Sequence, residues 1–460
     1  MKILKSSNPQ ILKSSNNQIT PSSPNNLLSL HKQKKPMHVL IRQAVIIDPA
    51  GPLHQQKADI RIKDGVIAEM SASLKVPADT VVIDVDGAHV SPGWFDLGAQ
   101  CGDPGYEYRE DIDSLCRAAA AGGYTGVACF PNTSPAIQSK SEVEYLRRRS
   151  QGNIVDIYPI GAVSTGCEGR ELTEMLDMRA SDAVAFSDGK QALQHAGLLL
   201  RALLYVKPFD GVILNRPQDD TIAANGQMHE GVMSTSLGLK GLPPLAEELM
   251  VQRDIELAAY TESRMHIHNL STARSVQLVR DAKAAGLKVT ASVAAMNLFF
   301  DDEALFDFDS NFKVLPPLRG SADIAALKAG LADGTIDCIT SNHVPLEEEA
   351  KKLEYPYAKF GAIGLQTAFS TALTSLEGTL DVVKLVDKLA VQPRQLLGLP
   401  LPHIAPGQQA NLTVFDTQSD WMFQPHLNLS KSHNSPFFGY QLKGKVWAVI
   451  NNSQVTLSSI

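Results

Sequence analysis

Between residues 93 and 340 the sequence switches eight times from a short β-branched or apolar run to a longer amphipathic stretch, and this restricts the fold more than any other feature. The runs lie at 93–97, 125–130, 154–162, 183–187, 211–214, 265–270, 288–293 and 335–340. Helical patterns follow most of them, as at 272–285 (TARSVQLVRDAKAA) and 322–332. Strands that alternate with helices form parallel sheets, and eight units in roughly 300 residues predict a TIM (β/α)8 barrel. An open doubly wound sheet is the rival. No glycine-rich phosphate loop follows the first strand, and eight repeats favour closure.

The ends of the chain read as β. HVLIRQAVIID, ADIRIKDGVIAEM and DTVVIDVDGAHV open it, with a hairpin turn expected at Lys63-Asp64-Gly65. ANLTVFD and KGKVWAVINNSQVTLSS close it. The two ends are predicted to pair into a small β-sandwich domain, 37–91 with 403–460, around a barrel at 92–402. Residues 1–36 hold no Asp or Glu and repeat ILKSSNPQ as ILKSSNNQ, so they are read as a disordered basic leader. Without Arg or an apolar core segment, the leader fits neither a transit peptide nor a secretory signal. Met37 is an alternative start.

A net charge of -7 argues against nucleic acid or an anionic membrane as the main partner. No apolar run is long enough to span a bilayer. The five cysteines (101, 116, 129, 167 and 338) include no CxxC pair, which suits reduced thiols in the cytoplasm.

The segment 92–135 carries the most specific motif. It reads PGWFDLGAQCGDPGYEYREDI, then an alanine-rich helix ending Gly-Gly, then a strand ending FPNTSP. This resembles the first barrel unit of the dihydroorotases, metal-dependent cyclic amidohydrolases of pyrimidine biosynthesis. Lys313–Arg319 (KVLPPLR) and 357–367 (YAKFGAIGLQT) resemble later motifs of that family, and the likeness extends over about 38–460.

The resemblance implies where a metal site would stand. The two histidine ligands of the first strand fall on Gly98 and Gln100, and a carboxylate-binding arginine falls on Gly102. The ligand aspartate of the fourth strand is kept as Asp188. The ligand histidines of the fifth and sixth strands fall on Arg216 and Asn269. The aspartate of the eighth strand, ligand and general base together, is Asn342. Two substrate contacts, Asn132 and His343, are kept, and a third falls on Leu315. Glycine offers no donor, a guanidinium repels a cation, and an asparagine amide accepts no proton at neutral pH. No metal and no catalytic residue are therefore expected, zinc entering only if the protein is active after all. Arg216 is expected to fill the vacated metal position and pair with Asp188. From strand alternation, with Asn269 placed inward, His266 and His268 are expected to face the helix layer.

Three functions follow. The first is a non-catalytic dihydroorotase-like protein, a homodimer acting as a structural partner of the aspartate carbamoyltransferase catalytic subunit, as relatives with degraded sites do. The second is an active cyclic amidohydrolase with a non-standard site, for which Cys101 with His343 is the one nucleophile–base pair. The third is a barrel that binds a small pyrimidine precursor without turnover, against which the loss of an arginine at Gly102 weighs.

Overall fold

The computed structural model describes residues 37–77 and 79–458; the basic leader at 1–36 lies outside them. Eight parallel strands form a near-closed barrel: Trp94–Ala99, Tyr124–Cys129, Asp156–Gly161, Ala185–Phe186, Val212–Asn215, Arg264–Ile267, Val289–Ala294 and Cys338–Thr340, neighbouring in chain order. The eighth strand is only three residues long, and side chains help to close the seam between it and the first. Asp96 accepts hydrogen bonds from Ser341 N (2.7 Å) and Ser341 Oγ (2.8 Å), while Gln100 N donates to His343 O (3.0 Å). Asp96 is fully buried, and burial raises its pKa against the lowering effect of those Ser341 bonds.

Alternation along the strands builds two cores. Phe95 and Leu97, Ala128 and Phe130, Val212 and Leu214 point into the barrel, where Leu396 and Leu397 join them. Trp94, Val127, Ile157, Ile213 and Ile339 point outward onto helix residues such as Leu199, Val251 and Val276. The helix predicted at 272–285 spans Ala273–Ala284, with Thr272 Oγ1 capping Ser275 N.

The ends of the chain share one sheet. Its order is Gln454–Leu457, Gln441–Asn451, Leu412–Met422, His89–Pro92, His38–Ile46, Lys57–Lys63 and Val66–Ser71, with Val81–Asp84 also on His38–Ile46. The hairpin turn forms at Asp64 and Gly65, both at positive φ (51° and 83°), as a two-residue turn between twisted strands requires. Among the described residues no helix is long and apolar enough to cross a membrane.

Candidate functional site at the barrel mouth

A cavity of about 290 Å³ opens where the C-terminal ends of the strands converge. Gly98 and Gln100 reach it from the first strand, Phe130 from the second, Arg216 from the fifth, His268 from the sixth and Asn342 from the eighth. It therefore sits where barrels of this class place their sites. Asp188, Asn132 and Asn269 do not line it.

Asp188 is tied away from the axis. Its carboxylate accepts from Val163 N (3.0 Å), Ser164 N (2.9 Å) and Ser164 Oγ. Burial raises its pKa, and these bonds oppose the rise. Arg216 instead donates to Lys190 O and, at 3.4 Å, to Gln218 Oε1. The expected Asp188–Arg216 pair is thus not formed: the backbone amides at 163 and 164 already satisfy the carboxylate, so it does not need the guanidinium.

The sixth strand corrects a second expectation. His266 and His268 face the barrel interior, and Ile267 faces the helices. The nitrogens of His266 lie 3.0 Å from Thr290 Oγ1 and 3.0 Å from Ser292 Oγ. His268 stands edge-on to Phe130, with Nδ1 3.4 Å from Ser292 Oγ. The alternation argument fails because the regular strand stops at Ile267 and Asn269 takes a left-handed φ of 59°. That turn also directs Asn269 between the last two strands, where its Oδ1 accepts from Thr340 Oγ1 (2.7 Å) and Ser292 Oγ (3.3 Å). Burial keeps both histidines neutral: the pKa of His266 falls well below the usual value and that of His268 falls to about 3, with Arg216 adding to the second shift.

Asn132 bridges two strand ends, donating from Nδ2 to Asp188 O (3.0 Å) and accepting from Lys190 N (2.9 Å). His343 is almost fully buried, with Nε2 3.2 Å from Glu110 and Nδ1 accepting from Gly364 N at 3.2 Å. Glu110, which sequence reasoning did not single out, also accepts from Ser114 Oγ, Ser430 Oγ and Lys431 N, pinning the C-terminal segment to the mouth. Cys101 donates to Asp103 O (3.3 Å) and does not line the cavity. The nucleophile–base pair of Cys101 with His343 is therefore not assembled, because both imidazole nitrogens are engaged elsewhere.

The donor set does not fit a metal. Among the described residues no group of three or more His, Cys, Asp or Glu side chains is arranged to hold one. Asn342 donates from Nδ2 to Leu315 O (3.1 Å). Asn269 Nδ2 is buried with no partner among the described residues, an N–H donor where a cation needs a lone pair. A Cβ on Gly98 would stand 2.5 Å from the Phe130 ring and 3.1 Å from His268, so a side chain there requires both rings to move.

Comparison with known proteins agrees with this architecture. The family described as "Dihydro-orotase-like" matches residues 87–275. A protein named dihydroorotase from Pelotomaculum thermopropionicum is 43% identical over 423 residues, covering 92% of this chain and 99% of the relative. Another of that name, from Syntrophus aciditrophicus, is 40% identical and covers 89% and 97%. Among solved structures, an L-hydantoinase (dihydropyrimidinase) from Arthrobacter aurescens superposes with a TM-score of 0.80 at 23% identity, covering 92% of this chain and 96% of its own. A dihydropyrimidinase from Brevibacillus agri gives 0.77 at 19%, covering 92% and 95%. At such identities the likeness is one of fold.

Proposed function

The chain belongs to the dihydroorotase family, and we propose that it serves pyrimidine biosynthesis as a barrel that no longer hydrolyses a cyclic amide. One observation carries this reading: the positions that would supply ligands and base hold Gly98, Gln100, Asp188, Arg216, Asn269 and Asn342, and no metal-binding set arises from them. Metal-assisted amide hydrolysis needs a polarised carbonyl and an activated water, with a base to take its proton. Asn342 cannot take that proton, and Asp188 is already saturated with hydrogen bonds. In this reading the protein works in the cytoplasm as a homodimer and as a structural partner of the aspartate carbamoyltransferase catalytic subunit, with Asn132 and His343 as vestiges of a substrate site.

The second reading, an active dihydroorotase, is favoured by the names of relatives 43% and 40% identical over nearly their whole length. Zinc would be its expected metal.

Interconversion of carbamoyl aspartate and dihydroorotate by the purified chain, with and without zinc, separates the two. No turnover above a blank is expected in either condition, nor from Asn342→Asp alone, since the four ligand positions at Gly98, Gln100, Arg216 and Asn269 remain changed. Turnover by the unmodified chain overturns the non-catalytic reading. Co-purification with aspartate carbamoyltransferase tests the partner, and a carbamoyltransferase that assembles equally well without this chain argues against it.

A further inference from the structure

The loops after the seventh and eighth barrel strands carry large apolar side chains that the described residues leave uncovered. Phe306, Phe308, Leu353 and Tyr357 are 67%, 44%, 50% and 72% exposed. The two loops pack on each other. Ser310 Oγ donates to Lys351 O (2.6 Å), and the Phe308 ring meets that of Tyr355 edge-on at 6.2 Å. Their backbone is fixed from within. Asp301 and Asp309 accept from Glu303 N (3.2 Å) and Asn311 N (2.8 Å), and Lys351 ties Lys359 O to Gly361 O. Apolar groups clustered in water on a fixed backbone mark a contact surface, and one that needs little ordering on binding.

Charge indicates what covers it. Residues 301–309 and 347–357 hold nine carboxylates and two lysines, a surplus of seven negative charges that equals the formal net charge of the whole chain. Glu303, Asp307, Glu349 and Glu354 are exposed, and among the described residues no cationic side chain lies within 4.0 Å of them. Beside them lies a groove of about 590 Å³, lined in part by Tyr108, Asp309, Leu346, Glu348, Glu349 and His433. The three lysines on that groove are already engaged: Lys351 by backbone carbonyls, Lys352 by Glu348 and Lys431 by Asp111.

We propose that this surface docks a basic segment of a partner protein, with apolar side chains of the segment on the exposed rings and its lysines or arginines against the free carboxylates. Aromatic anchors inside a charged rim are the usual build of a protein interface, and cationic side chains also favour aromatic faces. A second copy of this chain is a poor occupant, because a two-fold contact sets the same carboxylates against one another. Nucleic acid and anionic lipid are repelled. None of Phe306, Phe308, Leu353 and Tyr357 lines the cavity at the barrel mouth, so the proposal rests on neither reading of the barrel's activity.

The test is fluorescence anisotropy with the full chain at low ionic strength and three short labelled peptides, alternating Lys with Leu, Lys with Ser, and Glu with Leu. The Lys–Leu peptide is expected to bind and to weaken as salt is added. The double variants Phe306→Ser with Tyr357→Ser, and Glu303→Gln with Asp307→Asn, should each weaken it about fivefold or more. Glu256→Gln with Asp177→Asn, exposed carboxylates on two barrel helices, should leave it unchanged. A circular-dichroism melt checks that the variants fold, as substitutions at exposed positions should. No binding, equal binding of the Lys–Ser or Glu–Leu peptide, unchanged affinity in the loop variants, or an equal loss in the helix variant would each overturn the proposal. So would sedimentation showing a dimer that the Phe306→Ser, Tyr357→Ser variant alone dissociates, which would give the surface to a second copy.

Discussion

At the residue scale the buried histidines set an acid limit on stability. His266 and His268 have folded pKa values below those of the unfolded chain, so the unfolded state takes up protons first as pH falls. Their contribution is complete above about pH 6.5 and is lost on the way down, for His268 until about pH 3. Each can steepen the loss by up to about 1.4 kcal/mol per pH unit. Urea unfolding at pH 6.5 and 4.5 should show a smaller stability difference for His268→Gln than for the unmodified chain. An equal difference would mean that His268 is protonated in the fold. The same residues mark the limit of the sequence reading: His266-Ile267-His268 was legible as strand, but its phase was not, because the left-handed φ at Asn269 cannot be seen in residue order.

At the element scale the segment 351–361, which brings Phe360 and Gly361 to the cavity, is held by two buried ammonium groups. Lys351 donates to Lys359 O (2.9 Å), Gly361 O (3.0 Å) and Lys313 O (3.4 Å). Lys313 donates to Tyr355 O (2.8 Å) and Pro356 O (3.1 Å) between the rings of Tyr355 and Phe360. Lys351→Met would leave three carbonyls without this donor, at roughly 1–3 kcal/mol for each one left buried and unpaired. Faster amide hydrogen exchange confined to 351–361 is the expected result, and unchanged exchange would show that the segment is held by its packing instead. The lysine of KVLPPLR was visible in the sequence, but its role was not, because its partners lie 42 and 43 residues further along the chain.

At the scale of the whole molecule the terminal sheet and the barrel are joined by specific polar contacts. Thr413 Oγ1 donates to Gly123 O (2.6 Å) and accepts from Trp94 N (3.3 Å). Asn451 Nδ2 reaches Ile154 O (2.9 Å) and Asp156 (3.0 Å). Sheet and barrel should therefore unfold together. In urea, tryptophan fluorescence and far-ultraviolet circular dichroism are expected to coincide, and Thr413→Val should shift both curves equally, by about 1–3 kcal/mol. Two separated transitions would show that the contacts do not couple the parts.

Residue order by itself determined the alternating strands and helices, the pairing of the two ends, the hairpin at Asp64-Gly65 and the identity of each side chain at the strand ends. These follow from periodicity and local turn chemistry, which act over a few residues. Only the tertiary structure decided what those side chains do at the mouth. It turned Asp188 onto the amides at 163 and 164, set Arg216 against the Lys190 carbonyl, rotated His268 inward and locked His343 onto Glu110. The reason is competition: a buried polar group takes the best partner that the folded chain brings within reach. Here those partners come from elements far apart in sequence, such as Glu110, which lies 233 residues from His343.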